Sequence, residues 1–259
     1  MESVSFTVNG QTAAVDPSHP HLLSALREEL GIMSPKDGCS PSGQCGACTV
    51  LLDGKAIQSC LVSLAKATDS EITTLEGFDE SERVRLANAF ASAGALQCGF
   101  CTPGIMVRTK ALLDAKGRDL DLQTVKSRLG AHLCRCTGYT KILDAVDLLV
   151  EDTVPLPQVP DAVGDDGAKY EGIELALGDR GYVDDIRPEG LLHAALKLTD
   201  HARADIERID TAAAESAPGV VGVFTAADVP GQLRIGIIHE DWPVFVPEAG
   251  RPSFLGDAR

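Results

Sequence analysis

Apolar and polar residues alternate along SVSFTV at residues 3–8. Asn9-Gly10 interrupts them, and QTAAVD takes the alternation up again. Period-two alternation on both sides of an Asn-Gly dipeptide predicts a β-hairpin. The period changes over 21–30, HLLSALREEL, where Leu22, Leu23, Leu26 and Leu30 share one side of a helix. Ser18 or His19 is the expected cap and Gly31 the stop. CTVLLDGKAIQSC reads as strand, Asp53-Gly54 turn and strand, and EITTLEG as a further short strand. Together these predict a small mixed sheet with one helix packed across it, ending near residue 76.

Helical spacing takes over from about residue 80. Ser81–Ala91 is one expected helix. A second is capped by Thr102, has Pro103 at its first helical position and runs to about Ala115. Asp121 is placed to cap a third over Leu122–Leu129. A fourth starts at Thr140 or Gly138, with Ile142, Leu143, Val146 and Leu149 on one stripe. The proline-bearing stretch 151–170, EDTVPLPQVPDAVGDDGAKY, reads as a linker. Beyond it, GLLHAALKLTD reads as a strand, ADIERID as a short strand or turn, TAAAESA as a short helix, and PGVVGVFTAADVPG as a buried strand with a helical turn. The tail GIIHEDWPVFVPEAGRPSFLGDAR offers no closing element. The third unit is therefore expected to be completed by a partner or to be a truncated piece.

Charge divides the chain at the same place. Residues 1–150 carry 17 acidic against 14 basic side chains, and residues 151–259 carry 21 against 9, in a chain of net charge −15. That excess of anions argues against nucleic acid or an anionic membrane as a partner. No window approaches 18 apolar residues, so no membrane span is expected. MESVSFTVNG has neither a basic nor an apolar leader region, which points to the cytoplasm. The expected organisation is 1–76, 77–152, a linker at 153–170, and 171–259.

All eight cysteines lie in the first part. Cys39, Cys45, Cys48 and Cys60 follow a Cys-x5-Cys-x2-Cys-x11-Cys spacing. Gly38, Gly43 and Gly46 lie among them, suiting a loop that wraps an inorganic centre and turns its N–H groups inward. Cys98 and Cys101 form one tight pair and Cys134 and Cys136 another, each beside a predicted helix end. Four plus four fits two tetrathiolate sites. Structural zinc more usually joins two Cys-x2-Cys pairs, disulfides need an oxidising compartment, and a compact loop with a distant fourth cysteine is a [2Fe–2S] arrangement. Arg135 sits between two cysteines, where it could offset cluster charge or simply be solvated. Gln97 alone fits a surface or capping role as well as a cofactor contact. His19, His21, His132, His193, His201 and His239 show no ligand spacing and read as surface or core residues.

GCSPSGQCGACTVLLDG with Cys60, then QCGFCTPG and CRCTGY, resemble the two-cluster iron–sulfur part of the molybdenum hydroxylases, the xanthine dehydrogenase and aldehyde oxidoreductase family. The resemblance implies an α+β chain: a β-grasp ferredoxin-like domain, a four-helix [2Fe–2S] domain, then a partial α/β hammerhead domain. It implies two [2Fe–2S] clusters, the one on Cys98, Cys101, Cys134 and Cys136 nearer a molybdopterin and the one on Cys39, Cys45, Cys48 and Cys60 farther out. Gln97 matches a glutamine that hydrogen-bonds the pterin. ARADIERIDTAAAESAPGVVGVFTAADVPG resembles the opening of the large subunit's hammerhead, whereas EGIELALGDRG departs from the family's pattern. The implied partners are a large molybdopterin-binding subunit, a flavin (FAD) subunit or soluble carrier, and a dimer of such heteromers. No catalytic residue is expected within this chain. A free-standing two-cluster electron carrier is the alternative.

Overall fold

The computed structural model describes residues 3–164 and 167–258. Strand β1 (Val4–Val8) pairs antiparallel with β2 (Gln11–Val15). Asn9 and Gly10 turn between them at φ 50° and 76°, the left-handed pair that such a two-residue loop demands. Asn9 also reaches forward: its Oδ1 accepts from Thr74 N–H at 2.9 Å.

Helix α1 starts at Leu22–Ser24 and widens into a π-helical stretch, Ala25–Glu29. Its cap is His21, whose Nδ1 accepts from Ser24 N–H, and not Ser18 or His19. Asp16 closes its own turn onto Ser18 N–H at 2.8 Å, so the chain turns before it coils. Gly31, at φ 67°, ends the helix as expected.

Strands β3 (Thr49–Leu52) and β4 (Lys55–Gln58) form the second hairpin around Asp53-Gly54. A short helix α2 (Leu64–Ala67) leads to β5 (Glu71–Thr73). The strand expected over EITTLEG is only three residues long, because Leu75–Gly77 coils into a 3₁₀ turn. The sheet order is β2-β1-β5-β3-β4, with β1 and β5 parallel and the other pairs antiparallel. Phe6, Val8, Val15, Leu22, Ala25, Leu26, Val50 and Ile72 bury one face of this sheet against α1.

Four helices follow: α3 (Glu80–Ser92), α4 (Thr102–Lys116), α5 (Leu122–Leu129) and α6 (Thr140–Glu151). Asp121 caps α5, accepting from Thr124 N–H at 2.8 Å. The start of α4 corrects the expected register. Cys101 is the cap, Thr102 the first helical residue and Pro103 the second. Proline remains within the first turn, where no intrahelical N–H is needed. Leu86, Phe90, Ile105, Met106, Val125, Leu129, Ile142, Val146 and Leu149 make one core.

The linker does not lead directly into the last unit. Residues 172–177 coil into α7 (Gly172–Leu177), and Ala176 and Leu177 enter the same core as Phe90. The segment EGIELALGDRG, grouped in sequence with the residues after it, thus packs within the first compact unit, which extends to Ile186. Three small or apolar residues, Gly172, Ala176 and Leu177, are buried in this helix.

The second unit spans Arg187 onward. It holds α8 (Ala212–Glu215), a 3₁₀ turn at Ala226–Asp228, and a hairpin of β6 (Arg234–Ile235) with β7 (Trp242–Pro243). Among the described residues, the strands expected in GLLHAALKLTD, ADIERID and PGVVGVF are absent. Among the described residues, what pairs there includes the bridge of Leu198 with Ala258 and backbone bonds of Ile206 with Ala249 and Gly250. Leu192, Leu196, Val221 and Phe224 stand exposed, so their alternation has no neighbouring strand or layer to fold against. The short helix over TAAAESA does form. No helix among the described residues is long and apolar enough to cross a membrane.

Candidate metal centres

The loop from Pro35 to Cys48 brings three of the first four thiols together, and the turn after β4 brings Cys60. Ser40, Gly43 and Gly46 turn at φ 40°, 66° and 68°. Gly43 leaves room for Leu61, and its absent Cβ would lie 2.4 Å from Leu61 Cδ1. Cys39 lies within hydrogen-bonding reach of Cys45, and Cys48 of Cys60. The pairs face each other, since Cys39 and Cys48 both act on the Cys45 thiol.

The second four come from two places. Cys98 and Cys101 precede α4, and Cys134 and Cys136 lie in the turn between α5 and α6. Cys98 and Cys136 Sγ atoms are 3.6 Å apart, and Cys101 is within reach of Cys134. Among the described residues, no three His, Cys, Asp or Glu side chains gather as the ligands of one ion. Each set is instead two thiol pairs. A [2Fe–2S] group takes four thiolates across two irons, and the donor chemistry and pairing here fit it.

As free thiols these groups are far from alike. Burial pushes the Cys60 thiol up to about 12 and raises Cys101, Cys45 and Cys98 as well. Ser42's hydroxyl and the N–H groups of Cys45 and Gln44 instead hold Cys39 down at about 6. At Cys134 burial is outweighed by hydrogen bonds from the Thr137 side chain and from the Thr137 and Cys136 N–H groups, so its pKa is lowered. Backbone N–H groups thus point at sulfur in both sets, as they must to stabilise charge on buried thiolates.

Tyr139 fixes the second turn. Its hydroxyl donates to His132 O and accepts from Cys134 N–H, both at 2.9 Å, from a residue held at φ 71°. Tyr139→Phe removes both bonds at once. It is expected to cost about 1–3 kcal/mol of stability, read from urea unfolding. An unchanged midpoint would mean that water replaces the hydroxyl.

The two sets are neighbours. Leu133 N–H, beside Cys134, donates to Cys45 O at 2.9 Å. Gln58 Nε2 donates to Ala131 O, and Arg108 Nη1 to Ala56 O. Gly46 and Gly104 allow this approach: a Cβ on Gly46 would lie 2.4 Å from Ala131 O, and one on Gly104 2.5 Å from Gly46 O. His132 is buried at this contact. Burial and the nearby Arg108 guanidinium lower its pKa to about 4, and among the described residues its Nδ1 finds no partner.

Gln97 is exposed and donates through Nε2 to Cys136 O at 3.0 Å. Sequence reasoning overlooked three side chains that hold these loops: Tyr139, Lys36 and Tyr182. Tyr182 follows α7, donates to Cys98 O at 2.6 Å and meets Phe100 edge-on. Nothing local in GDRGYVDD signals that contact, since 84 residues separate the partners.

Three family models match successive stretches of the chain. They are "2Fe-2S iron-sulfur cluster binding domain" over residues 6–75, "[2Fe-2S] binding domain" over 74–147, and "Aldehyde oxidase and xanthine dehydrogenase, a/b hammerhead domain" over 177–249. The nicotinate dehydrogenase small FeS subunit of Eubacterium barkeri is 42% identical over 58% of this chain and 95% of its own length. The chain belongs to the iron–sulfur subunits of the molybdenum hydroxylase family. The aldehyde oxidoreductase of Megalodesulfovibrio gigas is 36% identical over 88% of this chain, which spans only 27% of that relative. The solved aldehyde oxidoreductase from Desulfovibrio gigas superposes with a TM-score of 0.82 at 31% identity, covering 100% of this chain and 31% of that one. The quinoline 2-oxidoreductase structure from Pseudomonas putida 86 gives 0.53 at 38% identity, covering 59% of this chain and 94% of its own. Two [2Fe–2S]-binding domains and a hammerhead region, in an electron-transfer component of an oxidoreductase, are therefore family properties of this chain.

Proposed function

We propose that Cys39, Cys45, Cys48 and Cys60 hold one [2Fe–2S] group and Cys98, Cys101, Cys134 and Cys136 the other. The domains would divide as 1–76 and 77–152, followed by the linker and the hammerhead part. The observation that carries this reading is the pairing of thiols in two sets joined by the Leu133 N–H to Cys45 O bond. Each bound group supplies a reversible one-electron store. The chain's own part is to bury the thiolates, to aim N–H groups at sulfur and to keep the two sets in contact.

The full reaction is the hydroxylation or dehydrogenation of an aldehyde or N-heterocycle at a molybdopterin centre on a large partner subunit. Relatives named for aldehyde, nicotinate and xanthine support that substrate class. Electrons would enter at the second set, where Gln97, bonded through Nε2 to Cys136 O, would hold the pterin through its Oε1. They would pass through the contact at Cys45 to the first set, then to a flavin (FAD) subunit or a soluble acceptor. The assembled enzyme is proposed as a dimer of heteromers in the cytoplasm, a compartment that keeps eight free thiols reduced.

Metal analysis tests this directly. The purified chain is expected to be red-brown, with about four iron and about four acid-labile sulfide, two of each per cluster. Reduction should give two distinct rhombic paramagnetic signals. A colourless protein with zinc would overturn the reading. Intact clusters with no molybdopterin partner on purification would favour a free-standing carrier.

A further inference from the structure

Lys36 is almost fully buried, at 2% exposure. It stands three residues before Cys39, and its N–H donates to Ala47 O, beside Cys48, at 3.0 Å. Its ammonium donates to Met33 O and lies 5.5 Å from the Tyr182 ring centre. The same tyrosine donates to Cys98 O, and its Phe100 neighbour lies 3.0 Å from where a Gly38 Cβ would be, as Cys45 Sγ does at 3.1 Å. Through its backbone this lysine is bonded beside Cys48, and through its ammonium it meets the side chain that holds Cys98 O.

The charged groups around it are Arg27, Asp185, Glu76 and Asp179. Each has other partners. Arg27 donates to Asp185 at 2.8 Å and to Met33 O and Pro35 O. Asp185 also accepts from Tyr182 N–H. Glu76 accepts from Ser34 N–H and from the Ser34 and Thr74 hydroxyls. Asp179 pairs with Arg83. Among the described residues Lys36 forms no ion pair of its own; its bonding partner is a carbonyl and its neighbour an aromatic face.

We propose that Lys36 is a redox-positioning residue: its buried ammonium, held between the Cys39 loop and Tyr182, favours the reduced state of both iron–sulfur groups. The inference rests on the two-cluster reading above. Reduction adds one negative charge to a thiolate-ligated group without making or breaking a bond. A fixed cation in a low-dielectric interior favours that added charge, and the Ala47 O bond and the Tyr182 contact link it to both sets. Tyr182 keeps the geometry by tying the strap after α7 to Cys98 O.

Redox titration of the iron-loaded full chain, followed by its two paramagnetic signals, tests the proposal. In Lys36→Met both midpoints are expected to fall by at least tenfold in the one-electron equilibrium, about 59 mV. In Asp185→Asn, which removes an anion from the same cluster, both are expected to rise. Unchanged midpoints in an iron-loaded Lys36→Met protein, or a shift of one signal alone, would overturn the proposal. If Lys36→Met does not take up iron, Asp185→Asn decides, and no rise there overturns it. A wild-type chain without iron would instead refute the two-cluster reading, before any variant is made.

Discussion

A valine at position 46 is expected to unseat the helical domain from the first cysteine loop. Gly46 has φ 68°, where a β-branched residue is strained. Its Cβ would also lie 2.4 Å from Ala131 O and 2.6 Å from His132 Nδ1. Neither atom can retreat easily. Ala131 O holds the Gln58 amide, and His132 is 1% exposed with its carbonyl bound by Tyr139. A left-handed non-glycine residue costs about 1–3 kcal/mol and overpacking about 1–3 kcal/mol more.

Gly54→Val is the matched control. Gly54 has φ 75° but nothing within 4 Å of its would-be Cβ, so it carries the backbone cost alone. Urea unfolding should rank Gly46→Val well below Gly54→Val. The iron-loaded valine variant should also lose hydrogen-exchange protection at Leu133 N–H, the donor that joins the two loops. Equal midpoints for the two variants would mean that the contact at Gly46 yields without cost.

Why the first half of the chain was legible follows from where its information lies. Asn9-Gly10 and Asp53-Gly54 carry both turn chemistry and strand register, so each hairpin is encoded in a dozen residues. Asp121 caps its own helix. The cysteines and their glycines lie in short loops, and the structure brings each four together as two thiol pairs for the same local reason. The misreadings are non-local or unpartnered. His21 displaces Ser18 as the cap of α1 because its Nδ1 accepts the Ser24 N–H, while Asp16 holds Ser18 in a turn before the helix begins. Helix α7 owes its place to Ala176 and Leu177 meeting a core assembled from residues 75–149, which no window around residue 175 contains. In the last unit the alternating pattern is present, but alternation specifies a strand only where another strand or layer receives it.

That non-local segment also changes how the centres are held. The thiol sets could each be described by their own loops, yet residues 172–185 join them to the rest of the first unit. Leu175 packs where a Gly99 Cβ would be, Tyr182 binds Cys98 O, and Asp185 binds Arg27 of α1. Burial, followed by the charges of Cys98 and Cys101, pushes the Tyr182 hydroxyl up to about 12, so it remains a donor to that carbonyl at neutral pH. The exposed Cys98 is thereby tied through its backbone, while its side chain stays beside Cys136.

Cys101→Ser is expected to remove one cluster and leave the other. Cys101 is the most constrained of the second set: it is buried in the core with Ile105 and Met106, and it caps α4. Serine is a poor iron ligand there, and its hydroxyl would enter an apolar pocket at a cost of about 1–3 kcal/mol if unpaired. Iron should fall from about four to about two per chain, with one rhombic signal lost and the other unmoved in shape. Cys60→Ser should remove the complementary signal, because Cys60 pairs with Cys48 in the first set. Metal binding and local folding are coupled, so protection of the 134–139 turn should drop in Cys101→Ser while the β1–β5 sheet keeps its own. Loss of both signals from either variant with the fold intact, or retention of about four iron in both, would show that the thiols are not divided as four and four.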